Sequence, residues 1–305
     1  MSIIERAAKR MEERKEPLVT SLGSVLQDGF PATYPRGDIG MADVEPEKPI
    51  AKRPAASRVE IDLFRLGHRG FITPDNSSTP VAEEFRIIKR PLIRNAMGHS
   101  AGTVKNGNLI MVTSALPGEG KSTTSLNLAM SIAMEVDNTV LLVDADVARP
   151  SLPETLGIQA RPGLLDVLSG QIGLAEAVLP TNVNKFSILH AGTSHSKATE
   201  MLASDSMRQI LDEMANRYSD RLIVFDSPPL LLSNESRVLA SHMGQIVVVV
   251  EAESTMHGTL IEALATIESC PVKLLLLNKA KAHGGGAYGT YGSYGGSPYG
   301  YGQGR

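Results

Sequence analysis

The sequence predicts an α/β domain in which helices cover both faces of a mostly parallel sheet. From residue 108 onward, short apolar segments alternate with segments whose apolar residues recur at helical spacing. The apolar segments are mostly unbroken runs, which is typical of strands that are buried on both faces. The part expected to fold, about residues 80–280, is long enough for one sizeable core.

Six strands are expected in this part of the chain, each an apolar run bounded by polar or turn residues. They are Leu109–Thr113, Thr139–Val143, Phe186–His190, Arg221–Phe225, Gln245–Val250 and Val272–Leu277. Helical segments fall between the strands. They lie near residues 122–134, 163–178, 199–216, 234–241 and 257–268.

Three segments precede the sheet. Residues 2–15 place apolar side chains opposite charged ones, which predicts an amphipathic helix. This helix either docks on a partner or membrane surface, or it packs on its own domain or frays in solution. Residues 16–57 hold six prolines and little periodicity, so we expect a mostly disordered linker. The folded domain is expected over residues 58–282, where residues 58–72 form a short helix or hairpin laid on it.

A further helix is expected over residues 80–97, beginning near Pro80. Pro91 should kink or end this helix, because proline lacks the backbone N–H that the preceding turn needs. The charged face of the helix, which carries Glu83 and Arg86, is either solvated or a contact between subunits.

The C-terminal segment, residues 283–305, is rich in glycine and tyrosine and has no acidic residue. It has no aliphatic residue larger than alanine, so it cannot form a core and is expected to be a flexible tail. It holds five of the seven tyrosines of the chain, namely Tyr288, Tyr291, Tyr294, Tyr299 and Tyr301.

The composition limits the possible functions and compartments. The net charge of −3 gives no indication of nucleic-acid binding. The single cysteine, Cys270, excludes an internal disulfide and fits a reducing compartment. No apolar run reaches the roughly 18–20 residues that cross a bilayer, and the N-terminus lacks a signal-peptide core. We therefore expect a cytoplasmic protein. The seven histidines are expected at surface or loop positions.

The segment ALPGEGKS, residues 115–122, lies between the first expected strand and a helix, as a phosphate-binding loop does. Glycines allow successive backbone N–H groups to point into one concavity, and the helix N-terminus adds its free N–H groups. Lys121 would reach the β- and γ-phosphates, and the Ser122 hydroxyl would bind Mg²⁺. This pattern predicts a P-loop NTPase-type domain. Its expected nucleotide-binding residues are Pro117, Gly118, Glu119, Gly120, Lys121, Ser122 and Thr123.

The same turn is compatible with two different structures. A strand-to-helix turn without a ligand can contain Gly-Lys-Ser by chance. A dinucleotide-binding turn would also place Gly118 and Gly120 before a helix, but its third glycine would fall on Thr123.

Three aspartates follow expected strands: Asp144 and Asp146 after the second, and Asp226 after the fourth. Ligands of open α/β sheets bind at the carboxyl ends of the strands. One such aspartate alone would favour a helix cap or a turn, but three of them behind a phosphate loop favour metal and phosphate chemistry. One carboxylate of the Asp144 and Asp146 pair would orient or deprotonate a hydroxyl, and the other would assist Mg²⁺, as would Asp226.

The segments VTSALPGEGKSTTSLNLA, VLLVDADVARPSLP and LIVFDSPPLL, together with the tyrosine-rich tail, resemble the bacterial tyrosine kinases of exopolysaccharide and capsule synthesis. The resemblance is to the stand-alone, exosortase-associated autokinases in particular, and it covers residues 80–305. It implies an autokinase that uses ATP and Mg²⁺ and phosphorylates the C-terminal tyrosines. The general base of the family falls on Asp144, and its other acidic metal-site positions fall on Asp146 and Asp226.

The resemblance also implies partners. These are a membrane-bound polysaccharide co-polymerase that regulates chain length at the inner membrane, a cognate tyrosine phosphatase, and further copies of the chain in a ring when it is unphosphorylated. The oligomer helix of the family reads Glu-x-x-Arg-x-x-Arg, which here is Glu83, Arg86 and Lys89. Lysine lacks the bidentate fork of arginine.

Two further positions bear on the resemblance. Ala148 stands where relatives commonly have a basic residue, and Arg149 comes one position later. Asn278 falls where relatives place an asparagine near the adenine, although a turn residue is equally expected after a strand.

Two other functional classes are compatible with parts of the sequence. Partitioning and septum-site ATPases resemble this chain in fold and act as nucleotide-dependent binding switches. Their loop has an extra lysine five residues before the shared one, and here that position is Leu116. An adaptor protein with an adhesive tail is also compatible with the glycine and tyrosine composition.

Overall fold

The computed structural model of the protein describes residues 58–99, 102–217 and 220–281. The expected N-terminal helix, the proline-rich linker and the tyrosine tail lie outside these residues. The structures expected for those three segments therefore stay predictions.

A mixed sheet lies at the centre of the described domain. Its strands are β1 (Leu109–Ser114), β2 (Thr139–Asp144), β3 (Leu179–Pro180), β4 (Phe186–Leu189), β5 (Arg221–Asp226), β6 (Gln245–Glu251) and β7 (Val272–Asn278). Their spatial order is β3-β4-β2-β5-β1-β6-β7, and all neighbours are parallel except the β3–β4 pair. This arrangement confirms the predicted α/β fold. The six predicted strands are present and differ by one residue at their carboxyl ends, whereas β3 was missed because it is two residues long.

Helices pack on both faces of the sheet. They are α1 (Leu63–His68), α2 (Pro80–Ala96), α3 (Lys121–Ala133), α4 (Leu152–Leu156), α5 (Leu164–Leu168), α6 (Leu174–Ala177), α7 (Ala198–Leu202), α8 (Asp205–Arg217), α9 (Asn234–Ala240) and α10 (His257–Ala265). Alternate residues of β1 belong to opposite cores: Ile110 and Val112 pack with α2 and α3, and Leu109 and Met111 pack with the other layer.

The helix predicted over residues 80–97 is present as α2, which continues through Pro91 and ends at Ala96, so of the two effects expected of Pro91, a kink or an end, the end is wrong. Proline leaves the carbonyl of Ile87, four residues earlier, without its helical partner. Both Ile87 and Pro91 are exposed, so that carbonyl can bond water instead. The helix begins at the Thr79 cap, whose side chain accepts a hydrogen bond from the Ala82 N–H at 3.3 Å.

Two predicted helices are each split in the structure. The segment predicted over 163–178 forms α5 and α6, because the chain turns at Gly170, which has a φ of 75°. The segment predicted over 199–216 forms α7 and α8. There the Ser204 hydroxyl accepts a hydrogen bond from the Met207 N–H at 3.2 Å and starts a new helix.

Residues 58–72 form the helix α1 and pack into the core. Val59 makes a parallel bridge with Thr181, and the Asn182 side chain bonds both the N–H and the carbonyl of Ile61 at 2.9 Å. Phe71 and Ile72 are buried in the core that contains α2 and α3. This segment is therefore an integral part of the described domain.

The strand register brings the candidate site together. Asp226 at the end of β5 is paired with Val112 of β1 on one side and with Asp144 of β2 on the other. The loop from β1 to α3 leaves the sheet at the same edge. The fold therefore places the phosphate-loop motif and the aspartates beside one another, as parallel strands require.

Candidate active site

The loop between β1 and α3 has the backbone shape that its glycines allow. Gly118 and Gly120 have φ angles of 86° and 99°, which residues with a Cβ rarely adopt. A Cβ at Gly120 would also lie 2.1 Å from the Asn278 side-chain nitrogen. Gly120 is thus fixed both by its conformation and by the close approach of β7. Pro117, Gly118 and Thr123 of this loop are exposed.

Glu119 is buried and braces the loop. One of its oxygens accepts a hydrogen bond from the Leu116 N–H at 2.8 Å, and the other accepts the Thr255 hydroxyl. The carboxylate therefore closes the loop on itself and ties it to the segment after β6. Thr255 was not predicted, because a contact between residues so distant in sequence leaves no local pattern.

Lys121 begins α3, and its ammonium lies 3.0 Å from the Asp146 carboxylate. Both side chains are largely buried, with 14% and 8% of their surface exposed. Asp146 also accepts the Arg149 N–H at 3.1 Å, which fixes the turn after β2. The structure thus brings together two of the predicted site residues, and Asp146 balances the charge of the loop lysine.

Asp226 is buried under the start of α3. The Ser125 hydroxyl lies 3.1 Å from its carboxylate, and the Ser122 hydroxyl is near enough to lower its pKa. Burial raises the pKa of Asp226 to about 6, and Asp146 acts in the same direction, while Lys121 and the two hydroxyls oppose the rise. Ser125 was not predicted, although its spacing three residues after Ser122 places it on the same helix face.

Asp144 is fully buried at the end of β2. One oxygen accepts the Leu152 N–H at 3.0 Å, and the other has no hydrogen-bond partner among the described residues. The pKa of Asp144 is raised to about 7, chiefly by burial and in part by the neighbouring Asp226 and Asp146, while the Leu152 N–H opposes the rise. A carboxyl group with this pKa can take up a proton near neutral pH, which is the property that a general base needs.

Asn278 and Lys279 reach the loop from the end of β7. The Asn278 amide donates to the Glu119 carbonyl at 2.9 Å, and the Lys279 ammonium donates to the Gly118 carbonyl at 2.8 Å. Asn278 was predicted near a bound base, but here it bonds the loop itself. Lys279 was missed, and its position directly after Asn278 is the one signal that could have indicated it.

The three residues predicted to make an oligomer contact do not share one surface. Glu83 and Arg86 form a partly exposed ion pair on α2, and Arg86 also donates to the Ser77 carbonyl at 3.0 Å. Lys89 is buried, where it lies 2.7 Å from the Glu135 carboxylate and 2.5 Å from the Ser131 carbonyl. Lys89 therefore holds α2 against α3 within the domain.

His190 lies in the loop after β4, so it has one of the two positions expected for the histidines, but it is buried rather than at the surface. It follows β4 and is 2% exposed, and neither ring nitrogen has a hydrogen-bond partner among the described residues. Burial lowers its pKa, as does the nearby Arg161. A loop residue can be buried in this way where the next element packs against it, and here the Leu164 N–H at the start of α5 donates to the His190 carbonyl at 2.8 Å.

The arrangement fits a nucleotide and a magnesium ion. The buried Asp144 oxygen without a partner and the raised pKa values of Asp144 and Asp226 indicate a site with too little positive charge for its carboxylates. No group of three or more acidic, histidine or cysteine side chains in the described ranges forms a metal cage. This is the usual case for Mg²⁺, which takes one or two carboxylates and completes its shell with phosphate and water.

Comparison with known proteins first defines the class. The family model described as an AAA domain matches residues 107–275, which include the loop, the three aspartates and most of the sheet. None of the helices in the described part of the chain is long and apolar enough to span a bilayer.

The relatives then define the family. The chain is 31% identical over 214 residues to the tyrosine-protein kinase YwqD of Bacillus subtilis, covering 70% of this chain and 86% of YwqD. It is 28% identical over 237 residues to the tyrosine-protein kinase ptk of Acinetobacter johnsonii, covering 78% of this chain but 30% of that longer protein. The solved BceF tyrosine kinase domain aligns with a TM-score of 0.56 and 25% identity, covering 73% of this chain and 92% of that domain. The chain belongs to the family of bacterial tyrosine-protein kinases.

Proposed function

We propose that this tyrosine kinase transfers the γ-phosphoryl group of ATP to tyrosines in its own C-terminal tail. The observation that carries the proposal is the meeting of Lys121, Asp144, Asp146 and Asp226 at one sheet edge behind a glycine-shaped loop. A tail with five tyrosines follows the last strand of the same sheet.

The nucleotide and the metal have candidate ligands in this chain. Bound ATP supplies the phosphoryl group, and bound Mg²⁺ neutralises negative charge on it. Lys121 and the backbone N–H groups of residues 118–122 would hold the phosphates. Ser122, Asp146 and Asp226 would hold the metal, and Asn278 supports the nucleotide site through its bond to the Glu119 carbonyl.

Asp144 is the candidate general base. A tyrosine hydroxyl has a pKa of about 10, so a neighbouring carboxylate assists by taking its proton as the new bond forms. Asp144 is fully buried, and the Leu152 N–H, at the end of the segment that follows β2, donates to its carboxylate. We infer that this segment moves when an acceptor tyrosine approaches. The Lys121 ammonium lies 3.0 Å from Asp146 beside the loop, and it would contact phosphate oxygens in place of Asp146 when a nucleotide binds.

The proposed function assigns a role to each part of the chain. Residues 58–282 form the kinase domain and residues 283–305 the acceptor tail, with Tyr288, Tyr291, Tyr294, Tyr299 and Tyr301 as acceptors. The proline-rich residues 16–57 would join residues 1–15 to the kinase domain.

The kinase regulates the polymerisation or export of an exopolysaccharide. Its partners are a membrane-bound co-polymerase, which brings the cytoplasmic kinase to the inner membrane, and a tyrosine phosphatase. This part of the proposal is supported by the sequence resemblance to kinases of exopolysaccharide and capsule synthesis.

Each phosphotyrosine adds about −1.5 to −2 charges, so a phosphorylated tail would repel its neighbours and disassemble a ring. Glu83 and Arg86 remain candidate ring contacts because they are partly exposed.

Phosphosite mapping tests the proposal. Purified full-length chain is incubated with ATP and Mg²⁺ and analysed by mass spectrometry, with EDTA and a Lys121→Met variant as controls. We expect phosphotyrosine on the tail of the wild-type chain, and at least a 100-fold loss in Lys121→Met, because that change removes the cation that faces the phosphates. If the wild-type chain released free phosphate and kept every tyrosine unmodified, the autokinase function would be wrong.

A further inference from the structure

Two successive side chains after β7 hold two successive carbonyls of the phosphate loop. Asn278 donates to the Glu119 carbonyl at 2.9 Å, and Lys279 donates to the Gly118 carbonyl at 2.8 Å. The Lys279 ammonium also lies 3.0 Å from the Glu251 carboxylate at the end of β6. The loop is therefore attached at two adjacent peptides to the edge of the sheet.

The backbone at Lys279 is shaped for this contact. Neighbouring side chains of a strand point to opposite faces, so an extended chain could not direct both to one loop. Lys279 has a φ of 57°, a left-handed conformation that is uncommon for lysine. The Asn278 carbonyl also accepts the Ala252 N–H at 2.9 Å, which fixes the turn. The contacts of Lys279 offset the cost of this conformation.

The two bonds determine where loop N–H groups point. In a trans peptide the C=O and the following N–H point in opposite directions. Holding the Gly118 carbonyl toward Lys279 therefore turns the Glu119 N–H away from Lys279. Holding the Glu119 carbonyl toward Asn278 does the same for the Gly120 N–H. These are two of the N–H groups that a phosphate-binding loop directs at anionic oxygens.

We propose that Lys279 is a positioning residue of the kinase, which acts through the Gly118–Glu119 peptide and prepares the loop for a nucleotide phosphate. The proposal rests on the proposed use of ATP. Glu251 supports Lys279 by balancing its charge. Lys279 binds a loop carbonyl rather than the phosphates, so its role differs from that of Lys121.

The test compares full-length Lys279→Met with Lys281→Met. The control residue is also a lysine close to the end of β7, but its ammonium pairs at 3.3 Å with Glu253, and 79% of its side chain is exposed. Binding of a fluorescent ATP analogue in the presence of Mg²⁺ and the KM and kcat of autophosphorylation are measured for each chain.

We expect Lys279→Met to raise the Kd and the KM for the nucleotide about 10-fold, the effect of losing one hydrogen bond to a charged group. Its kcat at saturating nucleotide should stay within about twofold of wild type, because a bound nucleotide holds the loop in place. Lys281→Met should match wild type within about twofold in both quantities. Lys279→Arg should recover part of the loss, and Glu251→Gln should give a smaller rise in Kd.

Equal Kd values for Lys279→Met, Lys281→Met and wild type would overturn the proposal. So would a fall in kcat with an unchanged Kd. Far-ultraviolet circular dichroism checks that each variant is folded. If Lys279→Met does not fold, the Kd of Glu251→Gln for the nucleotide tests the proposal instead. Nucleotide binding is measured without phosphoryl transfer. The Kd values therefore test the role of Lys279 even if the autokinase function proves wrong.

Discussion

At the scale of single residues, the candidate site places three carboxyl groups around one lysine. Lys121 lies 3.0 Å from Asp146 and lowers the pKa of Asp226, but it does not offset the burial of Asp144. The folded chain without nucleotide therefore holds its carboxylates at a cost in stability. Such a cost is common where a site is built to bind a cation.

Replacing Asp144 should make the nucleotide-free protein more stable at neutral pH. The pKa of Asp144 is raised from 3.8 to about 7, so the folded protein binds this proton more tightly than the unfolded chain does. Stability is therefore lost as the pH rises from about 4 to 7, when Asp144 ionises, and the loss is complete above pH 7. Asparagine cannot ionise, yet its amide oxygen can still accept the Leu152 N–H.

We expect the melting temperature of Asp144→Asn to equal that of wild type near pH 4, to exceed it increasingly between pH 5 and 7, and to keep a constant excess above pH 8. Calorimetry of metal-free protein measures this. The control is Asp205→Asn, whose carboxylate is 84% exposed and should show no such trend. A pH-independent difference would mean that the charge of Asp144 is not what destabilises the fold.

The residues of the site were predictable where one local pattern carries them. The loop glycines, Lys121 and the three aspartates follow from motifs on strand ends, and the structure brings Lys121 and the aspartates together. The bracing contacts of Glu119, Thr255 and Lys279 were not predictable. They join residues more than 130 positions apart, and only the folded sheet brings these residues together.

At the scale of elements, the start of α5 is attached to the end of β4 beside the candidate site. The Leu164 N–H bonds the His190 carbonyl at 2.8 Å. One Asp166 oxygen accepts the Gly163 N–H at 2.7 Å and the Thr193 N–H at 3.0 Å. Burial tends to raise the pKa of Asp166, but these hydrogen bonds outweigh it and hold the pKa below its usual value.

Removing this attachment should destabilise the domain. Asp166→Ala would leave the buried Gly163 N–H without an acceptor, at about 1–3 kcal/mol, whereas the exposed Thr193 N–H can bond water, so we expect a loss of about 1–3 kcal/mol. Urea unfolding measures the loss. Asp205→Ala is the matched control, because the ion pair of Asp205 with Arg208 is exposed and contributes little. Equal stabilities of the two variants would contradict a bracing role for Asp166.

The elements themselves were largely predictable because each main strand is an apolar run between turn residues. Where the prediction failed, contacts outside the segment decided the outcome. β3 exists as two residues because it pairs with β4 at the sheet margin. α2 continues through Pro91 because the apolar residues Phe85 and Leu92, on either side of the proline, are both buried in the same core.

At the scale of the whole molecule, the sheet order separates the start of the tail from the candidate base. The chain leaves the sheet at β7, which lies four strands from β2 and Asp144. At about 4.8 Å a strand this is roughly 19 Å. The first tail tyrosine, Tyr288, comes seven residues after Lys281. Seven residues reach at most about 23–25 Å when fully extended, and a glycine-rich chain of that length has a root-mean-square span of only roughly 15 Å, so Tyr288 is poorly placed to reach the base of its own subunit.

We predict that phosphoryl transfer takes place between subunits, because the later tail tyrosines have enough reach to enter the site of a neighbouring copy. A chain of about 20 such residues spans roughly 25 Å, which is comparable to the width of a domain and reaches the site of a neighbouring copy. Two full-length variants separate donor from acceptor. Lys121→Met keeps its tyrosines but cannot transfer phosphate, and a variant with all five tail tyrosines changed to Phe keeps its active site but has no acceptors there.

We expect each variant alone to form almost no phosphotyrosine and the mixture to phosphorylate the tail of the Lys121→Met chain, at a rate that increases with protein concentration. Mass spectrometry identifies the modified chain, since only Lys121→Met retains the tail tyrosines. The wild-type chain should show the same dependence on concentration, because its tails also act on neighbours. An unmodified Lys121→Met tail in the mixture, together with a wild-type rate that does not change on dilution, would mean that each tail serves the active site of its own chain.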